Sequence, residues 1–134
     1  GCWETVVGLH ALLEAVAMEP VGTPWQCARA VAECAADGDA VVIEGIDRVG
    51  DRLGRGLASL AAMIDPAVVV LGGYFVPLAE WLVPAAERRL GEDLSFADLQ
   101  LPQIRLSDLD LRAAAIGAAE QSLADVLGGR VLPI

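Results

Sequence analysis

Apolar residues at helical spacing run through the first part of the chain. Within Trp3–Met18 they recur three or four positions apart, which predicts an amphipathic helix closed by Pro20 and Gly22. A second helix is predicted over Pro24–Ala36, because Thr23 can cap its first turn and proline suits the first helical position. The N-terminal region is therefore expected to be helical.

The segment that follows contains two conflicting signals. Val41–Ile43 favour a strand by propensity, but the apolar positions step by four and three, which only a helix explains, so we predict one long helix over Ala40–Ile64. The stripe consists of Val42, Ile46, Val49, Leu53, Leu57, Leu60 and Ile64. The helix also carries four glycines, each costing about 1 kcal/mol relative to alanine, so it is expected to pack closely against a neighbour. These glycines are Gly45, Gly50, Gly54 and Gly56.

The second half of the chain introduces strands. In "DPAVVVLGGYF" an apolar run predicts a strand over Val68–Leu71, and an all-apolar strand is typical of a parallel sheet covered on both faces. The pattern then predicts a helix over Val76–Leu90, a second strand over Gln103–Leu109 and a helix over Leu111–Leu127. The final segment, "RVLPI", is predicted to be a tail or an edge strand. The predicted fold class is α/β, a small, mostly parallel sheet with several helices. Such a sheet cannot shield so many helices, so further strands are expected from elsewhere in the protein or from another copy.

Composition and charge narrow the possible functions. The chain has 55% hydrophobic residues and a net charge of −10, and its nine basic residues are all arginine and scattered. Binding to the phosphate backbone of a nucleic acid requires clustered basic residues, so any DNA-binding region is expected elsewhere in the protein. No uninterrupted apolar run reaches the roughly 18 residues of a membrane span. The odd number of cysteines, without paired spacing, predicts no disulfide framework and fits a reducing cytoplasm.

The N-terminus has no signal-peptide pattern, since no positive region leads into an apolar stretch. It also lacks an initiator methionine and enters a helical pattern at once. We therefore expect the chain to be part of a longer protein.

An ordered set of short motifs resembles a known family. "GCWE" at Gly1–Glu4, a "GD" before the long helix, "DPAVVVLGG", and "IGAA" at Ile116–Ala119 resemble the C-terminal part of the ROK family. That family comprises repressors and sugar kinases built on the ribonuclease H-like, actin-like ATPase fold. The resemblance implies that residues 1–134 form a single C-terminal fragment of a ROK-type effector-binding domain. Its upstream half and any DNA-binding domain would be absent.

The resemblance assigns expected roles to two residues near the start. Cys2 matches the last cysteine of the family's zinc loop, but the other ligands would precede residue 1, so zinc is expected in the parent protein and not in this chain. His10 is not expected to substitute, because helical rise places it about 12 Å from Cys2, and it is read as a surface or core histidine. Glu4 matches a glutamate that accepts hydrogen bonds from sugar hydroxyls, although alone it would be read as an acidic first-turn residue.

The glycine pair Gly72 and Gly73 is the other expected site. After a parallel strand, glycines let backbone approach a ligand, although a tight turn without a ligand explains the pattern equally well. In the kinases of the family the equivalent residues resemble "GGG" and border the nucleotide. Here Tyr74 and Phe75 follow the pair, so the resemblance departs where ATP would sit. The two rings either crowd that space or are ordinary packing residues, together with Trp81.

Three hypotheses for function follow. The preferred one is a sugar-responsive ROK transcriptional regulator, in which this chain contributes to effector binding and oligomerisation, with DNA bound through an absent domain. The alternative is an ATP-dependent ROK sugar kinase using Mg-ATP, and a weaker third is a helical interaction module without a ligand. No catalytic residue is assigned in this chain, which lacks a phosphate-binding loop and a positioned base. A homodimer is expected, because the sheet edges and the long stripe exceed what so small a domain covers by itself.

Overall fold

A computed structural model describes residues 2–95, 100–109 and 112–128 of the chain. These residues form a mixed α/β arrangement that is mostly helical, with one two-stranded parallel sheet. In chain order the elements are α1 (Glu4–Val7), α2 (Leu9–Ala15), α3 (Pro24–Ala36), α4 (Ala40–Ile64), β1 (Val68–Leu71), a 3-10 turn (Gly73–Leu78), α5 (Ala79–Leu94), β2 (Gln103–Leu106) and α6 (Ala113–Leu127).

The predicted continuous helix over Trp3–Met18 is wrong, because the chain breaks at Gly8. The backbone there is extended, with ψ 169°. The Gly8 amide donates to the Glu4 carbonyl at 2.7 Å, which closes α1 after a single turn. A side chain at this position would place its Cβ 2.5 Å from the same carbonyl oxygen. The glycine therefore permits a sharp change of direction that the apolar pattern does not reveal.

The two helices that follow have the predicted bounds. Thr23 and Gln26 form a capping box at the start of α3, with the Thr23 amide donating to Gln26 Oε1 at 2.8 Å. Asp39 caps α4 by accepting hydrogen bonds from the amides of Val41 and Val42. Because these side chains satisfy amides that have no partner inside the helix, the ends are encoded locally.

Helix α4 forms the centre of the core, and its stripe is largely covered within the chain. Five of the seven predicted stripe residues are buried, namely Val42, Ile46, Val49, Leu53 and Leu57. Leu60 and Ile64, at the C-terminal end, are exposed, Ile64 by 69%. The expectation that this small domain would leave the stripe uncovered is wrong for all but that end, because α5 and α2 pack along the helix.

The glycines of α4 are positions of close helix contact, as predicted. A Cβ built on Gly50 would lie 2.7 Å from both the Ala85 Cβ and the Leu82 carbonyl oxygen of α5. One built on Gly54 would overlap the Ala86 carbonyl oxygen. The missing side chains thus let α4 and α5 approach more closely than ordinary residues allow.

The two strands pair in parallel, with Val68 opposite Gln103 and Leu71 opposite Leu106. The second strand ends at Leu106 and not at the predicted Leu109, because Ser107 begins a turn in which its Oγ accepts from the Leu109 amide at 3.1 Å. In β1, Leu71 is buried whereas Val70 is 62% exposed. The predicted cover on both faces of this strand is therefore not provided by the described residues.

The predicted helix over Val76–Leu90 is displaced at both ends. Gly73–Leu78 form a 3-10 turn, and α5 then continues to Leu94. Pro77 lies within the turn and has no amide hydrogen to donate, which is consistent with the tighter geometry preceding a regular helix. For the last predicted helix, α6 covers Ala113–Leu127, while Leu111 and the "RVLPI" segment lie outside the described residues.

Candidate functional site

The carboxyl ends of β1 and β2 bring the glycine pair beside Ser107. Gly73 has a φ of 61°, a left-handed conformation that glycine adopts without strain. A Cβ on Gly72 would lie 3.5 Å from the Ser107 Cβ, and the Ser107 amide donates to the Leu71 carbonyl at 2.8 Å. Ligands of open α/β folds commonly bind at this edge of the sheet. Ser107 was not predicted as a site residue; the signal that could have found it is the polar pair after "QIRL".

The two aromatics after the glycine pair turn into the protein. The Tyr74 hydroxyl donates to the Val7 carbonyl at 3.3 Å, a contact between residues 67 positions apart. The Tyr74 and Phe75 rings are tilted against each other, with centroids 4.5 Å apart. Both rings, with Trp81, are partly buried against the hydrophobic core. They therefore act at least as packing residues, one of the two readings that the sequence left open.

Glu4 lies in the first turn of α1, exposed to solvent. Its carboxylate accepts no hydrogen bond and forms no ion pair within the part of the chain that the structure describes. Burial, and then the negative charge of Glu4, raise the pKa of the Tyr74 phenol, while a backbone hydrogen bond with Leu9 opposes them. The fold thus brings the predicted sugar-binding glutamate into electrostatic reach of the turn that follows the glycine pair.

Cys2 and His10 do not form a metal centre with other described residues. Cys2 is exposed, and no group of three His, Cys, Asp or Glu side chains within residues 2–95, 100–109 and 112–128 could hold a metal ion. The His10 side chain is 90% exposed and its Nε2 lies 3.4 Å from Glu14 one turn later, so it is the helix-surface histidine of the prediction. One thiolate does not fit zinc, which takes three or four protein ligands.

Two grooves flank these elements. One, of about 720 Å³, lies between α1 and α4 and is lined by Cys2, Trp3, Thr5, Arg52, Arg55 and Ser59 among others. The other, of about 510 Å³, lies between α3 and the 3-10 turn, where Trp25, Pro77 and Trp81 contribute to its walls. Neither includes the glycine pair in its lining. None of the helices described here has the length and apolar character needed to cross a membrane.

Comparison with known proteins identifies the family. The family model described as "ROK family" matches residues 1–124. The chain belongs to the ROK family. No curated protein matched the sequence.

Solved structures of ROK kinases share the fold of this ROK chain. A ROK family glucokinase from Streptomyces griseus, in complex with glucose and AMPPNP, is 23% identical with a TM-score of 0.75, over 90% of this chain and 44% of that one. A ROK hexokinase from Thermus thermophilus is 28% identical with a TM-score of 0.62, over 93% of this chain and 42% of that one. The predicted α/β class, with the actin-like ATPase fold, is confirmed. The ROK chain spans less than half the length of either structure.

Proposed function

We propose that this chain is the C-terminal portion of a sugar-responsive transcriptional regulator of the ROK family, where it contributes to effector binding and oligomerisation. The observation that carries the proposal is Tyr74. Tyr74 occupies the position where the kinases of the family are expected to have a third glycine. Its ring is partly buried, and its hydroxyl donates a hydrogen bond to the Val7 carbonyl. A packed aromatic side chain directly after the glycine pair, where the kinases of the family are expected to have glycine, favours a sugar sensor over a phosphoryl-transfer enzyme.

Glu4 is the proposed effector contact. Its carboxylate is exposed and free of hydrogen bonds to the described residues, so both oxygens can accept from the hydroxyls of a sugar. The remaining contacts to the sugar would come from other parts of the protein.

DNA would be bound through a separate domain. The net charge of −10 makes this chain repel a phosphate backbone, so its contribution to a regulator is sensing and assembly. A cytoplasmic location follows from the same proposal. Zinc would be bound only if Cys2 is completed by ligands from residues outside this chain.

A sugar kinase is the second candidate, since both structures described above are sugar kinases, one of them bound to glucose and AMPPNP. In that case Gly72 and Gly73 would border the nucleotide at the end of β1. The Gly72 and Gly73 backbone is partly exposed, but Tyr74 and Phe75 follow where the kinases of the family are expected to have a third glycine, and their rings pack against the core. No catalytic residue of this chain is assigned in either candidate.

The test uses the protein expressed from its complete gene. Monosaccharides are screened by calorimetry, and ADP release is measured with each sugar that binds. We expect sugar binding without sugar-dependent ADP release, and loss of binding in Glu4→Gln but not in the matched control Glu14→Gln, whose carboxylate pairs with His10 on α2. Sugar-dependent ADP release above a no-protein control would overturn the regulator in favour of the kinase.

A further inference from the structure

We propose that Tyr74 is a positioning residue that holds α1, and with it Glu4, against the carboxyl end of the sheet, so that effector binding and the Gly72–Gly73 turn are coupled. This inference rests on the proposed function, because it assigns a consequence to the sugar contact at Glu4. The juxtaposition that carries it is the hydrogen bond between the Tyr74 hydroxyl and the end of α1.

Helix α1 cannot hold its own direction. It has four residues, fewer than an isolated helix needs for stability, and Gly8 separates it from α2. Its orientation is therefore set by tertiary contacts. Any residue that makes such a contact therefore helps to place the backbone from which the Glu4 side chain extends.

Helix α1 is anchored at both ends, and the side chain of its last residue, Val7, is also buried in the core. At the start, the Trp3 indole packs over Gly56 of α4, and its Nε1 donates to the Arg52 carbonyl at 3.4 Å. At the end, the Val7 carbonyl accepts from Tyr74. Carbonyls in the last turn of a helix have no partner inside it, so the phenol supplies a bond that the helix cannot make itself.

The sheet-side end of this tether is packed against a second ring. Tyr74 follows Gly73 directly in the 3-10 turn, and the Phe75 ring lies 4.5 Å from the phenol ring, centroid to centroid. A glycine at position 74 could not make the hydrogen bond at all. Replacing glycine by tyrosine here thus does more than fill space, because it connects the two predicted site elements.

The first measurement is sugar affinity by calorimetry, using the monosaccharide that binds the protein from its complete gene. Tyr74→Phe keeps the ring and removes the hydroxyl, and it should weaken binding about fivefold, the equivalent of one neutral hydrogen bond of about 1 kcal/mol. Ser122→Ala, which removes a hydroxyl bonded to the Ala118 carbonyl of α6, should leave the affinity unchanged. Equal affinities of wild type and Tyr74→Phe, with both folded by circular dichroism, would overturn the coupling.

The second measurement does not depend on a sugar. The ultraviolet titration of Tyr74 is obtained as the difference between wild type and Tyr74→Phe, and it is repeated in the Glu4→Gln background. A negative charge disfavours the phenolate, so Glu4→Gln should lower the pKa of Tyr74, whereas Glu14→Gln should not. An unchanged pKa would show that α1 does not hold Glu4 near the phenol. If no sugar binds but this pKa falls, the proposed effector function fails while the tether stands.

Discussion

The contact between α4 and α5 gives a prediction in which two opposing effects can be weighed. Alanine at Gly54 adds one methyl group at a position where α4 lies directly against α5. Its Cβ would overlap the Ala86 carbonyl oxygen and lie 2.8 Å from the Arg89 Cβ. Neither neighbour is the flexible end of a side chain, so α5 itself would have to move.

The expected change in the free energy of unfolding is the difference between the gain in helix propensity and the cost of overpacking. In an unobstructed helix, glycine to alanine gains about 1 kcal/mol through backbone entropy. Overpacking a close contact costs about 1–3 kcal/mol, and a backbone partner places this contact in the upper half of that range. Gly54→Ala should therefore lower the free energy of unfolding by about 1–2 kcal/mol.

The assay is urea denaturation followed by circular dichroism, with Gly91→Ala as the matched control. Gly91 lies inside α5, and a Cβ there would meet nothing within 4 Å. The control should be stabilised by about 0.5–1 kcal/mol, because only the backbone effect operates. If Gly54→Ala were stabilised as much as Gly91→Ala, the close approach of α4 and α5 would be refuted.

Two further predictions concern association and the N-terminal thiol. For the predicted homodimer, light scattering should give twice the monomer mass, and Met63→Glu should halve it, since Met63 is 80% exposed at the end of α4. Leu57→Glu should instead unfold the protein because Leu57 is buried, and a monomeric wild type would contradict the dimer. For the chain of residues 1–134, a thiol reagent should label Cys2 faster than the buried Cys27, and Cys2→Ser should remove the fast phase. Stoichiometric zinc that disappears in Cys2→Ser would disprove the free thiol.

The sequence alone determined the elements whose signals are local. The bounds of α3 and α4 were predicted correctly, since Thr23 and Asp39 satisfy the first amides of each helix from within a few residues. The strand over Val68–Leu71 was likewise predicted, and the ordered motifs from Gly1–Glu4 to Ile116–Ala119 led to the correct family. The helix ends and the strand depend on signals within a short segment of chain, and the family resemblance depends on the order of several such segments.

Only the tertiary structure decided what depends on residues far apart in the sequence. The stripe around Leu57 is buried because α5 covers it, and no local pattern states which helix will do so. The break at Gly8 became visible only where the chain turns between α1 and α2. The hydrogen bond from Tyr74 to Val7 joins positions 67 residues apart, and an apolar pattern carries no information about such a partner. Propensity and capping act over one or two turns, whereas the candidate site is assembled from segments far apart in the sequence that meet only when the core packs.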